Sequence, residues 1–214
     1  MKVAPTTSRT APTERDRDLA LASRLEYASV GYNVLEAVAG IAFGLAAGSV
    51  ALVGFGLDSV VEASSATILL WRLRTEVSGR RTAAEAEGRA IRLVALAFFA
   101  LAAYVGARSV WDLLTGARPE ESIPGIVLAA VSLVVMPILA RAKRRLATSL
   151  DSRSLKADSM QTVLCTYLSA FLLVGLVANS LWGWWWADPA AGLAIAVIAV
   201  REGIVLWRER DLCC

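Results

Sequence analysis

Histidine is absent from the 214-residue chain, and cysteine occurs only three times. Without imidazole the chain lacks the commonest metal ligand and the side chain that usually shuttles protons near neutral pH. Metal or proton chemistry must therefore rest on carboxylates, amides, hydroxyls and thiolate. Cys165 and the adjacent Cys213 and Cys214 build no disulfide framework, since neighbouring cysteines pair poorly. Residues 1–25 are polar and charged and contain no apolar core of the kind a signal peptide needs, so no cleaved targeting segment is expected. With Pro5, Pro12 and several hydroxyl residues, they read as a flexible cytoplasmic tail. Also missing are a His-Glu metalloprotease motif, a Gly-x-Ser-x-Gly elbow, a phosphate loop and any soluble domain to house water-dependent chemistry. An enzyme is not expected.

Apolar residues make up 57% of the chain, which points to an integral membrane protein in the cell membrane. Six apolar stretches, at 27–47, 49–71, 91–114, 123–140, 158–180 and 189–207, are long enough or nearly so to cross a hydrocarbon layer of ~30 Å. The expected fold is all-α, with six transmembrane helices over 26–208 between polar tails at 1–25 and 209–214. The first two spans meet at Gly48 and Ser49, so they form an antiparallel hairpin. Basic residues fix the orientation. Lys2, Arg9, Arg15, Arg17 and Arg24 precede the first span, Arg72 to Arg92 follow the second, and Arg141, Lys143, Arg144, Arg145, Arg153 and Lys156 follow the fourth. Only Arg118 lies in the opposite loops, so both termini are expected in the cytoplasm. The net charge of +3 then reflects topology, and nucleic acid is not an expected partner. Trp182, Trp184, Trp185 and Trp186 suit an interfacial aromatic belt. Gly40, Gly44 and Gly48 form a small-residue stripe suited to close helix packing.

Two acids one helical turn apart, Asp58 and Glu62, interrupt the second apolar stretch. At i and i+4 they project from one helix face. Each charge near a bilayer centre costs about 2.5–3.5 kcal/mol, so the pair needs a bound cation, protons or an arginine to offset it. Arg108 already has Asp112 at i+4 as a partner. In the fifth span Gln161 and Cys165 repeat at the same spacing. Counting ~1.5 Å per residue, Glu62 and Cys165 lie at matching depth on antiparallel helices. The four side chains are candidate ligands for one cation. Asn33 and Glu36 are candidates for the cation pathway, or hydrogen-bond to a neighbouring helix. Asp158, beside Lys156, reads as a salt-bridge or capping residue at the mouth of that pathway. Arg201 and Glu202, in the last span, could snorkel inward, and Cys213 and Cys214 could capture metal or carry a lipid.

The run from Gly48-Ser49 to Asp58-Ser59-Val60-Val61-Glu62 resembles the second-helix motif of the cation diffusion facilitator family. The run Ala157-Asp158-Ser159-Met160-Gln161-Thr162-Val163-Leu164-Cys165 resembles that family's second metal-binding helix, and Trp186-Ala187-Asp188-Pro189 is similar to the start of its last span. The resemblance covers about residues 23–210. It implies proton-coupled export of a divalent transition metal, with Asp58, Glu62, Gln161 and Cys165 in the four intramembrane ligand positions. Gln161 and Cys165 depart from the family's His/Asp and Asp. The chain also stops just past the last span, so a short member without the cytoplasmic domain is expected, any homodimer forming through the spans. Metal and protons would compete for the same oxygens while the helices rock about the site. Mixed oxygen and sulfur donors suit Zn2+ or Cd2+ over Mg2+ or Ca2+, and no cofactor is bound permanently. The alternatives are a proton-coupled exporter of organic cations and a non-transporting membrane scaffold.

Overall fold

The computed structural model describes residues 14–77 and 83–209, and among them every element is an α-helix. In chain order these are α1 (Glu14–Ala47), α2 (Val50–Val77), α3 (Ala83–Thr115), α4 (Ile123–Ser149), α5 (Arg153–Trp182) and α6 (Ala187–Glu209). Each carries a segment long and apolar enough to cross a membrane, so the protein is a six-span integral membrane protein. The helices outrun their apolar stretches, α1 and α4 by the most at one end. α1 begins at Glu14, so the polar residues 14–25 extend the first span as helix, and α4 continues to Ser149, past the expected end at residue 140.

α2 is the central helix. It packs against α1, α3, α5 and α6, and two-thirds of its apolar window is buried against 28–39% for the other five spans. Glycine makes the closest of these approaches. A Cβ at Gly40 would sit 2.9 Å from the Gly56 Cα, and one at Gly44 would sit 2.6 Å from the Val53 nitrogen. Gly40 and Gly44 therefore let α1 and α2 touch backbone to backbone, as the stripe predicts. Gly48 does different work. It meets nothing within 4 Å, and its φ of +64° turns the chain between the two helices.

Polar side chains organise the helix ends. Ser122 accepts from the Gly125 nitrogen at 3.2 Å to cap α4, whose first turn carries a proline. Gly183, at φ +65°, closes α5. Beyond it Trp184 and Trp186 stack with centroids 5.5 Å apart, both half-exposed as a membrane-interface belt requires. The main apolar core, with Leu52, Phe55, Val105, Met136, Leu172 and Ile195 wholly buried, is one cluster contributed by α2, α3, α4, α5 and α6. These contacts fix the rotation of α2, and hence where its acids point.

Candidate metal centre

The first turn of α2 is pinned by α6. Ser49 Oγ donates to Asp188 Oδ1 at 2.5 Å and accepts from the Leu52 nitrogen at 3.1 Å, while the Ala51 nitrogen donates to Asp188 Oδ2 at 3.4 Å. Two motifs far apart in sequence, Gly48-Ser49 and Asp188-Pro189, thus meet as one helix cap. The cap sets the depth of everything below it on α2.

At ~1.5 Å per residue, Asp58 lies about 14 Å below Ser49 and Glu62 about 6 Å deeper. Both are buried, at 6% and 1% exposure. From α5, Thr162 Oγ1 donates to Glu62 Oε1 at 2.8 Å, and the buried Cys165 follows one turn further along the same helix. From α1, Glu36 Oε2 accepts from Ser59 Oγ at 2.8 Å. Asn33, one turn earlier on α1, is buried with neither amide atom hydrogen-bonded among the described residues. The second oxygens of Glu36 and Glu62 are likewise unpartnered. Asp58 acts electrostatically with Glu62, Glu36 and Glu202, all of them acids.

Of the four candidate ligands, Asp58, Glu62 and Cys165 are thus gathered where α2 faces α5. Gln161 is only half-buried, with an unpartnered Nε2, and Thr162 is the α5 side chain that touches Glu62. Among the described residues no three His, Cys, Asp or Glu side chains close on a point tightly enough to hold a metal ion in this conformation. Thr162 was overlooked in the sequence, although a hydroxyl at i−3 from Cys165 shares its helix face.

Toward the α4–α5 connection, two expectations need correction. Asp158 forms the salt bridge expected of it, but not with the neighbouring Lys156, which is exposed, and it does not cap α5, whose cap is Ser152. Its partner is Lys143, Nζ to Oδ2 at 2.5 Å, and the same Nζ lies 3.3 Å from Glu26 Oε2 on α1. Lys143 is therefore no loop residue. It is wholly buried, because α4 continues past Ala140 and keeps its buried face through Ser132, Met136, Ala140, Lys143 and Ala147. That helical spacing, followed beyond the apolar stretch, would have revealed it. Lys143 is the one buried lysine or arginine among the described residues, and its field reaches Glu62.

Elsewhere, Arg108 pairs with Asp112 at 3.1 Å as the i, i+4 spacing predicts. Arg201 is exposed and Glu202 half-buried. Cys213 and Cys214 lie outside the described residues.

A family model described as the cation efflux transmembrane domain matches residues 27–210. The chain is 26% identical over 190 residues to an uncharacterized transporter of a Synechocystis species, covering 86% of this chain and 61% of that protein. It is 32% identical over 98 residues to the cation-efflux pump FieF of Shewanella oneidensis, covering 46% and 31% respectively. It is 23% identical over 186 residues to transmembrane protein 163 of Xenopus laevis, covering 86% and 66%. The chain thus spans between about a third and two-thirds of the length of these relatives.

Proposed function

The chain belongs to the cation efflux family, and from that membership we propose that it exports a divalent transition-metal cation in exchange for protons. The cation binds at Asp58 and Glu62 on α2, with Cys165 and Gln161 of α5 completing its donors. Asn33 and Glu36 line the approach from α1. Export runs from the side that carries the basic loops, which the positive-inside rule makes the cytoplasm. Two copies associate through their spans.

One observation carries the reading. Asp58 and Glu62 are buried at mid-helix in a membrane protein, and a third buried carboxylate, Glu36 of α1, meets the same stretch of α2 through Ser59. Like charges gathered in low dielectric repel strongly, and the arrangement persists only if protons or a cation neutralise it. Protons and metal then compete for the same oxygens, so binding one expels the other, and cation affinity rises with pH. The Thr162 hydroxyl holds Glu62, and the buried Cys165 stands one turn further along α5. A modest rotation of α5 against α2 brings Gln161 and Cys165 around the acids to complete the shell. Carboxylate oxygens with one sulfur favour Zn2+ and Cd2+ over Mg2+ and Ca2+.

The test is proton movement driven by each of a panel of divalent metals in vesicles reconstituted with the protein. Asp58→Ala and Glu62→Ala should each abolish the response to Zn2+ and Cd2+. Undiminished exchange in both variants would remove the pair from the mechanism.

A further inference from the structure

The Glu26–Lys143–Asp158 cluster joins α1, α4 and α5 at the end of the bundle next to the α4–α5 connection. Lys143 is wholly buried, as is Glu26, and Asp158 is 4% exposed. Asp158 stands one helical turn from Thr162, which bridges to Glu62. The three charges thus lie between the acid pair and that end of the molecule. Four polar oxygens there, both of Glu26, Asp158 Oδ1 and Ser29 Oγ, are buried without a hydrogen-bond partner among the described residues, Glu26 Oε2 meeting Lys143 only as an ion pair. A purely structural ion pair would be expected to satisfy such atoms.

We propose that Lys143 is a tethered stand-in for the transported cation and, bound to Glu26 and Asp158, latches the pathway shut on the side of the α4–α5 connection. The inference rests on the export reading above and adds a positioning residue to it. The ammonium occupies the carboxylate-lined passage that an incoming divalent ion must cross. A cation arriving from that side competes with it for Asp158 and Glu26. Its displacement frees α4 from α1 and α5, and the passage opens toward Glu62. Once the ion has moved on, the two carboxylates recapture Lys143 and the passage closes. Ion pairs buried in low dielectric suit such a two-position element, because a charge there needs a partner in each position.

Cys165 beside Glu62 reports the opening directly. In the 214-residue chain carrying Cys213→Ser and Cys214→Ser, a membrane-impermeant methanethiosulfonate is applied from the α4–α5 side of oriented vesicles, and the labelling rate of Cys165 is measured without metal. Glu26→Gln/Lys143→Gln/Asp158→Asn removes the ion pairs and leaves no charge unpaired. Its labelling should be about tenfold faster or more, while Lys143→Arg should keep the slow rate. Glu26→Gln alone, which leaves the Lys143–Asp158 pair, should fall between and serves if the triple variant does not fold. Unchanged labelling in whichever of these variants is recovered monodisperse would overturn the latch. The assay involves no transport, so loss of the latch and loss of the export reading are separable: exchange abolished by Asp58→Ala with unaltered Cys165 labelling would sink only the former.

Discussion

Replacing Gly56 with alanine puts a methyl carbon 2.6 Å from the Ile41 nitrogen and 3.0 Å from the Gly40 carbonyl carbon. Both neighbours are backbone on α1 and cannot rotate away. Restoring ordinary contact at ~3.5 Å requires the two helices to part by roughly 1 Å at that level. Ser59 lies three residues further along α2, and its hydroxyl reaches Glu36 across the same seam at 2.8 Å. The same displacement stretches that bond to about 3.8 Å, beyond hydrogen-bonding range. Overpacking of this kind costs about 1–3 kcal/mol, and loss of a hydrogen bond to a charged group adds about 1.5–3 kcal/mol. Gly56→Ala should therefore lower resistance to denaturant-induced unfolding in detergent by a few kcal/mol and weaken metal-driven proton exchange. Gly106→Ala is the control, since its Cβ would meet only the Ala196 Cβ at 3.5 Å, an ordinary contact. If Gly56→Ala matches Gly106→Ala in both unfolding and exchange, backbone contact between α1 and α2 is not what aligns Glu36 with the acid pair.

Other substitutions separate packing from chemistry. Asp188→Ala strips the cap from α2 and should cost about 0.5–2 kcal/mol of stability without changing the order of metal preference; an altered order in transport assays would make Asp188 part of the site. Lys143→Met leaves Glu26 and Asp158 buried without their counter-ion and should cost about 3–5 kcal/mol. Neutralising all three residues should recover much of that loss in the same unfolding titration, and no recovery would mean that charge imbalance is not the cause. Cys165→Ser exchanges a soft donor for a hard one, so competition assays should show Cd2+ losing ground to Mn2+. An unmoved ratio would place the thiol outside the coordination shell.

What could be read from the chain follows from where its physical signals are local. Long apolar stretches and a Gly-Ser turn are local, and so the six helices and the α1–α2 hairpin were legible. The spacing of Asp58 and Glu62 and their depth relative to Cys165 follow from helix rise alone, and the Thr162 contact puts α5 against α2 at that depth. Rotation about a helix axis is not local. One residue of turn, ~100°, separates Gln161 from Thr162, and packing of α5 decides which of them meets Glu62. Lys143 was misplaced for another reason. A positive charge past an apolar stretch ordinarily marks a loop, and only two acids from other helices, Glu26 and Asp158, make its burial tolerable. The Ser49–Asp188 cap spans 139 positions of sequence and became visible only with α6 seated on α2.

The central claim is that Asp58 and Glu62 hold either protons or a metal ion. Calorimetric titration of the purified protein with Zn2+, repeated in buffers of different ionisation enthalpy, counts the protons released for each ion bound. The account predicts saturable binding, accompanied by proton release that shrinks as pH rises, and loss of both in Asp58→Asn/Glu62→Gln. Zn2+ binding that releases no proton at any pH, or that survives intact in the double variant, would contradict it.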